Sequence, residues 1–264
     1  MEAGVLMQTT GKYSEVHMKG VYKIYRGLEV LSNMTFEIPR GKFTCFVGPS
    51  GSGKSTIVNI LAGYIKPEGG ITTIDGKPVG PPGPDRIVVF QETALLPWKT
   101  LMENTVFGPL IQKKISKEEA HKRAQTLIDK SGLTGFETKY PTQLSGGMQR
   151  RAELIRALIN EPQIMLMDEP LRGLDAMTRQ IMQEYIIKLY EETKMTILFI
   201  TSEIEEAIYM GDSVYFLSKP PGHMRYQMTV DLPRPRTFQV LTSKRFFELK
   251  AEAIKVIMEE KDTV

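Results

Sequence analysis

A glycine-rich run, Gly-Pro-Ser-Gly-Ser-Gly-Lys-Ser at 48–55, follows directly on a β-rich stretch at 42–47 and precedes apolar residues at helical spacing. Strand, glycine loop and helix in that order leave few folds open. Gly48, Gly51 and Gly53 let successive backbone N–H groups converge on one anion, and the positive end of the following helix adds to the attraction. Lys54 is expected to reach the β- and γ-phosphates of a nucleotide while the Ser55 hydroxyl ligates Mg2+. Pro49, Ser50, Ser52 and Thr56 complete the expected phosphate-binding set.

The rest of the chain reads as alternating strands and helices. Residues 16–47 are strand-like, with a turn at Pro39-Arg40-Gly41, and a helix is expected over 56–64, ending near Gly63. Further strands are expected at 71–74 and 87–90, separated by a Pro- and Gly-rich loop at 78–84. From about 96 to 160 the β signal fades. Ser116 and Glu119 have capping-box spacing, followed by Ala120, Ala124, Leu127 and Ile128 at helical intervals and Gly132 as a stop. β character returns at 164–167, 196–201 and 214–217, with a helix over 176–193 between the first two, and a last strand is expected at 226–232. That alternation implies a mainly parallel sheet. The tail, about 237–264, carries Phe246, Leu249, Ala253 and Ile257 on one helical stripe that should pack on the domain.

Composition bounds the function. A net charge of +3 is too mild to imply a nucleic-acid partner. The one cysteine, Cys45, excludes an internal disulfide framework and reads as a small buried residue of the strand before the loop. No segment approaches the ~18 consecutive apolar residues of a membrane helix, and the N-terminus lacks a basic start with an apolar signal core. The chain is therefore expected in the cytoplasm, with any transport role needing a separate membrane-spanning partner.

Two more segments carry chemistry. Asp168 closes the apolar run 164–167, so its carboxylate should emerge at the C-terminal edge of a buried strand, where open α/β sheets bind ligands, and there it suits Mg2+. Glu169 follows at once, placed to polarise an attacking water. Between this segment and the phosphate loop lies Leu-Ser-Gly-Gly-Met-Gln-Arg at 144–150. Ser145, Gly146 and Gly147 offer a hydroxyl and backbone N–H groups at a helix N-terminus, a geometry that serves equally as an N-cap and as a second phosphate-binding surface. Arg150 and Arg151 read as structural or solvated cations.

Together these motifs resemble the ATP-binding subunit of ABC transporters, over nearly the whole chain. More narrowly, Thr93 to Trp98, Lys219 to Gly222 and Asp-Leu-Pro-Arg-Pro-Arg at 231–236 resemble the importer group serving nitrate, taurine and alkanesulfonates. The resemblance implies an α/β fold class: a P-loop NTPase core with a mainly parallel sheet, an N-terminal antiparallel β part and an inserted helical lobe. A single domain over 1–264 is expected, with its core in 16–95 and 161–232. ATP and Mg2+ are the implied ligands. The implied partners are a second ABC ATPase subunit in a head-to-tail dimer, a membrane permease and, indirectly, a solute-binding protein, with the chain peripheral on the inner face of the membrane. Each ATP would lie between one phosphate loop and the partner's Ser145-Gly146-Gly147 turn. Gln91 matches the glutamine that contacts Mg2+ and the attacking water, Tyr25 the aromatic that stacks on adenine, and Asp175 the aspartate spanning the dimer interface. Pro97 and Trp98 would border the groove for the membrane partner.

The chain departs from the family's pattern at two places. After the strand at 196–201, where a histidine normally contacts the γ-phosphate, stands Ser202, with no nearby histidine to replace it; His17, His121 and His223 lie elsewhere. Before Asp175, Leu171-Arg172-Gly173 replaces the commoner small residues. A serine donates one hydrogen bond but carries no positive charge. Attenuated hydrolysis, or pairing with a different subunit that completes one site, is the resulting alternative.

Overall fold

The computed structural model describes residues 13–259; the outer ends of the expected domain and tail lie outside them. The described residues open with β1 (Val16–Tyr25), β2 (Leu28–Ile38) and β3 (Phe43–Val47). β1 and β2 pair antiparallel and largely alternate buried with exposed residues, whereas all of β3 is buried. Alternation marks a sheet with one wet face, and continuous burial marks a strand covered on both.

Helix α1 (Lys54–Ala62) follows the glycine loop, then β4 (Gly69–Ile74), β5 (Lys77–Pro78) and β6 (Arg86–Val89). Three helices, α2 (Leu101–Gln112), α3 (Lys117–Lys130) and α4 (Gly146–Leu158), precede β7 (Ile164–Asp168). The chain continues as α5 (Ala176–Thr193), β8 (Thr196–Thr201), α6 (Ile204–Met210), β9 (Ser213–Leu217), β10 (Met224–Thr229) and α7 (Lys244–Met258).

Two sheets result. One is antiparallel with order β2-β1-β4-β5; the other has order β10-β9-β3-β8-β7-β6 and is parallel except for its edge strand β10. Side-chain alternation divides the interior between the two faces of the second sheet. Phe43, Cys45 and Val47 pack with Met167, Phe199, Met182 and Ile186, and with Phe246 and Leu249 of α7. Phe46 points the other way, joining Leu166, Leu198 and Ile200 against Ile57 and Ile60 of α1 and Met18 and Met34 of the antiparallel sheet. Each such fully buried side chain stabilises the fold by roughly 1.5–3 kcal/mol.

Three local expectations shift. α1 starts at Lys54 rather than Thr56, because Gly53 takes a left-handed φ of 83° as its N-cap. The last strand covers Met224–Thr229 instead of 226–232, since its register is set by pairing with β9 and not by its own apolar pattern. Ser116 caps α3 by accepting from the Glu119 N–H, but the Glu119 carboxylate turns to Arg123; the reciprocal box forms instead at Thr100 and Glu103 of α2.

The Pro-Arg-Pro-Arg segment ties the chain end to the core. Arg234 Nε donates to Asp212 at 2.8 Å, and Arg236 donates to the carbonyls of Tyr209 and Gly211 at the end of α6. Asp212 also accepts from the Phe43 N–H at 3.0 Å and the Tyr190 hydroxyl at 2.6 Å. Burial pushes the Asp212 carboxyl up, but the Tyr190 hydroxyl and Arg234 outweigh it and hold it below the usual range. A carboxyl lowered in the folded state contributes stability that is complete above its unfolded pKa and lost as pH falls through the folded value. In urea unfolding the parent's advantage over Asp212→Asn should therefore shrink on acidification; an advantage that holds or grows would overturn this account.

Candidate active site

Because β3, β6, β7, β8 and β9 run parallel, their carboxyl ends share one edge of the sheet. The glycine loop, Gln91, Asp168 with Glu169, and Ser202 all leave the sheet there. A cavity of about 920 Å³ opens along this edge, within the ~300–1,000 Å³ usual for small-ligand sites. Gly48, Pro49, Ser50, Gly51, Gly53, Lys54, Ser55, Thr56, Gln91, Asp168, Glu169 and Ser202 all line it.

The loop is shaped from behind by β2. A Cβ added at Gly53 would lie 2.3 Å from Leu31 Cδ2, so glycine is required both by φ and by space. The turn after β9 seals the back: Gly222 donates to Val30 O at 2.8 Å, and Ser32 donates to Gly222 O at 2.9 Å. His223 serves this turn, its backbone N–H donating to the Ser218 hydroxyl at 2.9 Å. His17 lies near Glu15 and Glu37, and the His121 ring contacts the Lys117 carbonyl.

Lys54 Nζ donates to the Gly48 and Pro49 carbonyls at 2.7 and 2.9 Å and lies 3.9 Å from Glu169 Oε1. Burial lowers the Lys54 pKa while Glu169 and Asp168 oppose that shift. Asp168 is pushed up, first by burial and then by Glu169, against the Ser55 hydroxyl that donates to it. Two adjoining carboxylates and one hydroxyl thus face the cavity beside Lys54. Hard oxygen donors of this kind suit Mg2+. No group of three or more His, Cys, Asp or Glu among the described residues could hold a metal ion, so phosphate oxygens and water would have to complete its shell.

Gln91 is held through its backbone. Arg150, 3% exposed, donates to the carbonyls of Phe90, at 2.7 Å, and of Gln91, and pairs with Glu153 at 2.6 Å. Glu153 in turn accepts from the Ala94 N–H at 3.1 Å. Burial pushes the Glu153 carboxyl up, although Arg150 opposes that shift. Arg151 donates to the Ser131 carbonyl.

Ser145, Gly146 and Gly147 do not line the cavity. Ser145 caps α4, accepting from the Met148 N–H at 3.3 Å, and the turn is exposed except for Gly147, where a Cβ would lie 2.7 Å from Thr178 Cγ2. Asp175 caps α5 beside it, accepting from the Thr178 N–H at 3.0 Å.

Two of the expected nucleotide-binding residues, Tyr25 and Ser52, do not line the cavity. Tyr25 stands outside the cavity wall, which is made there by Leu28, Glu29 and Val30; Arg26 and Gly27 after it both take positive φ, and Lys23 Nζ lies 5.0 Å from its ring centroid. Ser52 is fully buried under the loop, its hydroxyl without a hydrogen-bond partner and its N–H bonded to Pro49 O. Conversely, Lys219, Arg225 and Ile257 line the cavity, though neither the segment that holds Lys219 nor the tail stripe that holds Ile257 pointed to it, because the β9–β10 region and α7 reach it only through tertiary packing.

The family model described as ABC transporter matches residues 31–172, the segment that holds the glycine loop, Gln91, the 144–150 turn and Asp168 with Glu169. The chain belongs to the ABC transporter family. An uncharacterised ABC transporter ATP-binding protein of Methanocaldococcus jannaschii is 42% identical over 88% of this chain and 86% of that protein. The nitrate import ATP-binding protein NrtD of Synechocystis is 39% identical over 84% of this chain and 85% of its own length. The taurine import ATP-binding protein TauB of Yersinia pestis is 38% identical over 82% and 84%. Among solved structures, a dimeric ATP-binding cassette in a post-hydrolysis state with ADP and Pi is 33% identical, with a TM-score of 0.72, covering 83% of this chain and all of that one. This ABC chain is accordingly an ATP-binding subunit and an ATPase.

In this ABC cassette the fit of Gly53 beneath Leu31 is a steric requirement. Gly53→Ala should lower the unfolding free energy by about 1–3 kcal/mol and abolish stabilisation by ATP in thermal unfolding. Parental stabilisation by ATP in that variant would show that Leu31 yields instead.

Proposed function

We propose that the chain hydrolyses MgATP in a two-cassette dimer and so drives a membrane permease that imports a small solute of the nitrate, sulfonate or taurine kind. The observation that carries this reading is the convergence of Lys54, Ser55, Gln91, Asp168 and Glu169 on one cavity at the carboxyl edge of the sheet. The solute class rests on the names of the nitrate and taurine relatives.

The residues divide the work. Backbone N–H groups of the loop and Lys54 bind the phosphates; Ser55, Asp168 and Gln91 would hold Mg2+, which neutralises charge on the phosphate oxygens when bound. Glu169 orients water and takes its proton as the water oxygen bonds to the γ-phosphorus and the bond to the β–γ bridging oxygen breaks. The products are ADP and phosphate. The exposed Ser145-Gly146-Gly147 turn, outside its own chain's cavity, supports a second cassette whose nucleotide it would contact. Trp98, 70% exposed beside exposed Pro97, supports docking of the permease there. No described helix is long and apolar enough to cross a membrane, so that partner supplies the spanning part. Its place is the inner face of the membrane, with the solute-binding protein reached only through the permease.

Glu169→Gln is expected to lower kcat by about 100-fold or more while ATP binding is kept; an unchanged rate would remove Glu169 from the mechanism. A second reading, a switch subunit with weak hydrolysis in a heterodimer, is favoured by Ser202 alone. It predicts that Ser202→His raises turnover, by as much as the ~2.7–4 kcal/mol of one preorganised donor. An unchanged rate in that variant sinks it.

A further inference from the structure

Ser202 and Arg172, the positions that set this sequence apart from the pattern it resembles, come to one place in the fold. Arg172 and Ser202 line the main cavity together, and both also line a second cavity of about 50 Å³ beside Glu169. Neither Ser202 nor its neighbour Glu203 carries a positive charge. Four basic side chains line the main cavity: Lys54, Arg172, Lys219 and Arg225. Lys219 and Arg225 come from the β9 and β10 side, with β3 and β8 standing between them and β7. On the Glu169 side the main cavity thus holds Lys54 and Arg172; Arg179 lines the second cavity and donates to the Leu174 carbonyl, and of the two arginines Arg172 is the one paired with Glu169.

The geometry of that pair is specific. Glu169 leaves β7 at a left-handed φ of 45°, anchored by its N–H to Ile200 O at 3.0 Å. The Arg172 N–H then closes a turn on Glu169 O at 3.1 Å, which brings both side chains to one side. The two carboxylate oxygens are claimed by different cations: Arg172 Nη1 holds Oε2 at 2.8 Å, and Lys54 Nζ lies 3.9 Å from Oε1.

We propose that Arg172 is the positioning residue for Glu169, holding Oε2 so that Oε1 faces the attacking water once Lys54 turns to the γ-phosphate. The reaction is the hydrolysis already described: Oε1 receives the water proton, the water oxygen bonds to the γ-phosphorus, and ADP departs with the bridging oxygen. Without Arg172 the carboxylate is free to follow Lys54, and the base loses its orientation while the phosphate loop stays intact.

This inference rests on Glu169 acting as the base. Arg172 is 62% exposed at its side chain, and an ion pair with an exposed partner adds little to folding, so Arg172→Ala should fold as the parent does. With the full-length chain and MgATP, Arg172→Ala should lower kcat by about 10-fold or more, leaving the KM for ATP within about 2-fold, because the interaction acts on the reacting arrangement and not on binding. Arg172→Lys should recover part of the loss. In a Glu169→Gln background, Arg172→Ala should have no further effect. An Arg172→Ala rate equal to or above the parent's, or an equal loss in the Glu169→Gln background, overturns the role of Arg172 alone. A parent chain no faster than Lys54→Ala overturns the proposed function and this inference together.

Discussion

The hydrogen bonds that β8 makes on its two sides set the distance on which everything at the site depends. On one side Val47 pairs with Thr201, and on the other Asp168 pairs with Ile200. The phosphate loop begins one residue after Val47, and Glu169 follows Asp168. Lys54 and Glu169 therefore meet because a fully buried six-residue strand is bonded between their parent strands. A slip of one residue along β8 would send its side chains to the opposite faces and break both cores at once. Burial of β8 on both faces is what makes that register costly to change.

The strands that matter most were also the most legible. The runs at 164–167 and 196–201 are apolar without alternation, the pattern of strands covered on both faces, and α5 spans Ala176–Thr193 as its periodicity implies. Gly53 was legible because only one residue type tolerates its backbone. Less legible were features decided by distant partners. Tyr25 stands outside the cavity wall, Ser52 is drawn under the loop, and β10 takes its register from β9. The cavity wall at Arg225 had no local signal, and Ile257 read only as part of the packing stripe of the tail.

Segments that look like signatures of specificity can be structural. Asp-Leu-Pro-Arg-Pro-Arg at 231–236 resembled the importer group, yet its arginines bind Asp212 and the last carbonyls of α6. Their positive charge sits where a helix exposes unpaired carbonyls, a favourable placement for a cation. Lys219 to Gly222 similarly packs behind the phosphate loop, where a Cβ at Gly222 would lie 2.0 Å from Ser52 O. Both segments fix the frame of the site.

The Arg150 pair gives α4 two attachments about one helical turn apart, roughly 5 Å along the axis. At its N-terminus the helix presents Ser145 outward, and in its second turn Arg150 grips the carbonyls of Phe90 and Gln91. The grip is buried, and Glu153 accepts from the Ala94 N–H as well. α4 therefore joins the backbone at Gln91, which lines the chain's own cavity, to the Ser145 turn on the surface it turns outward through one helix.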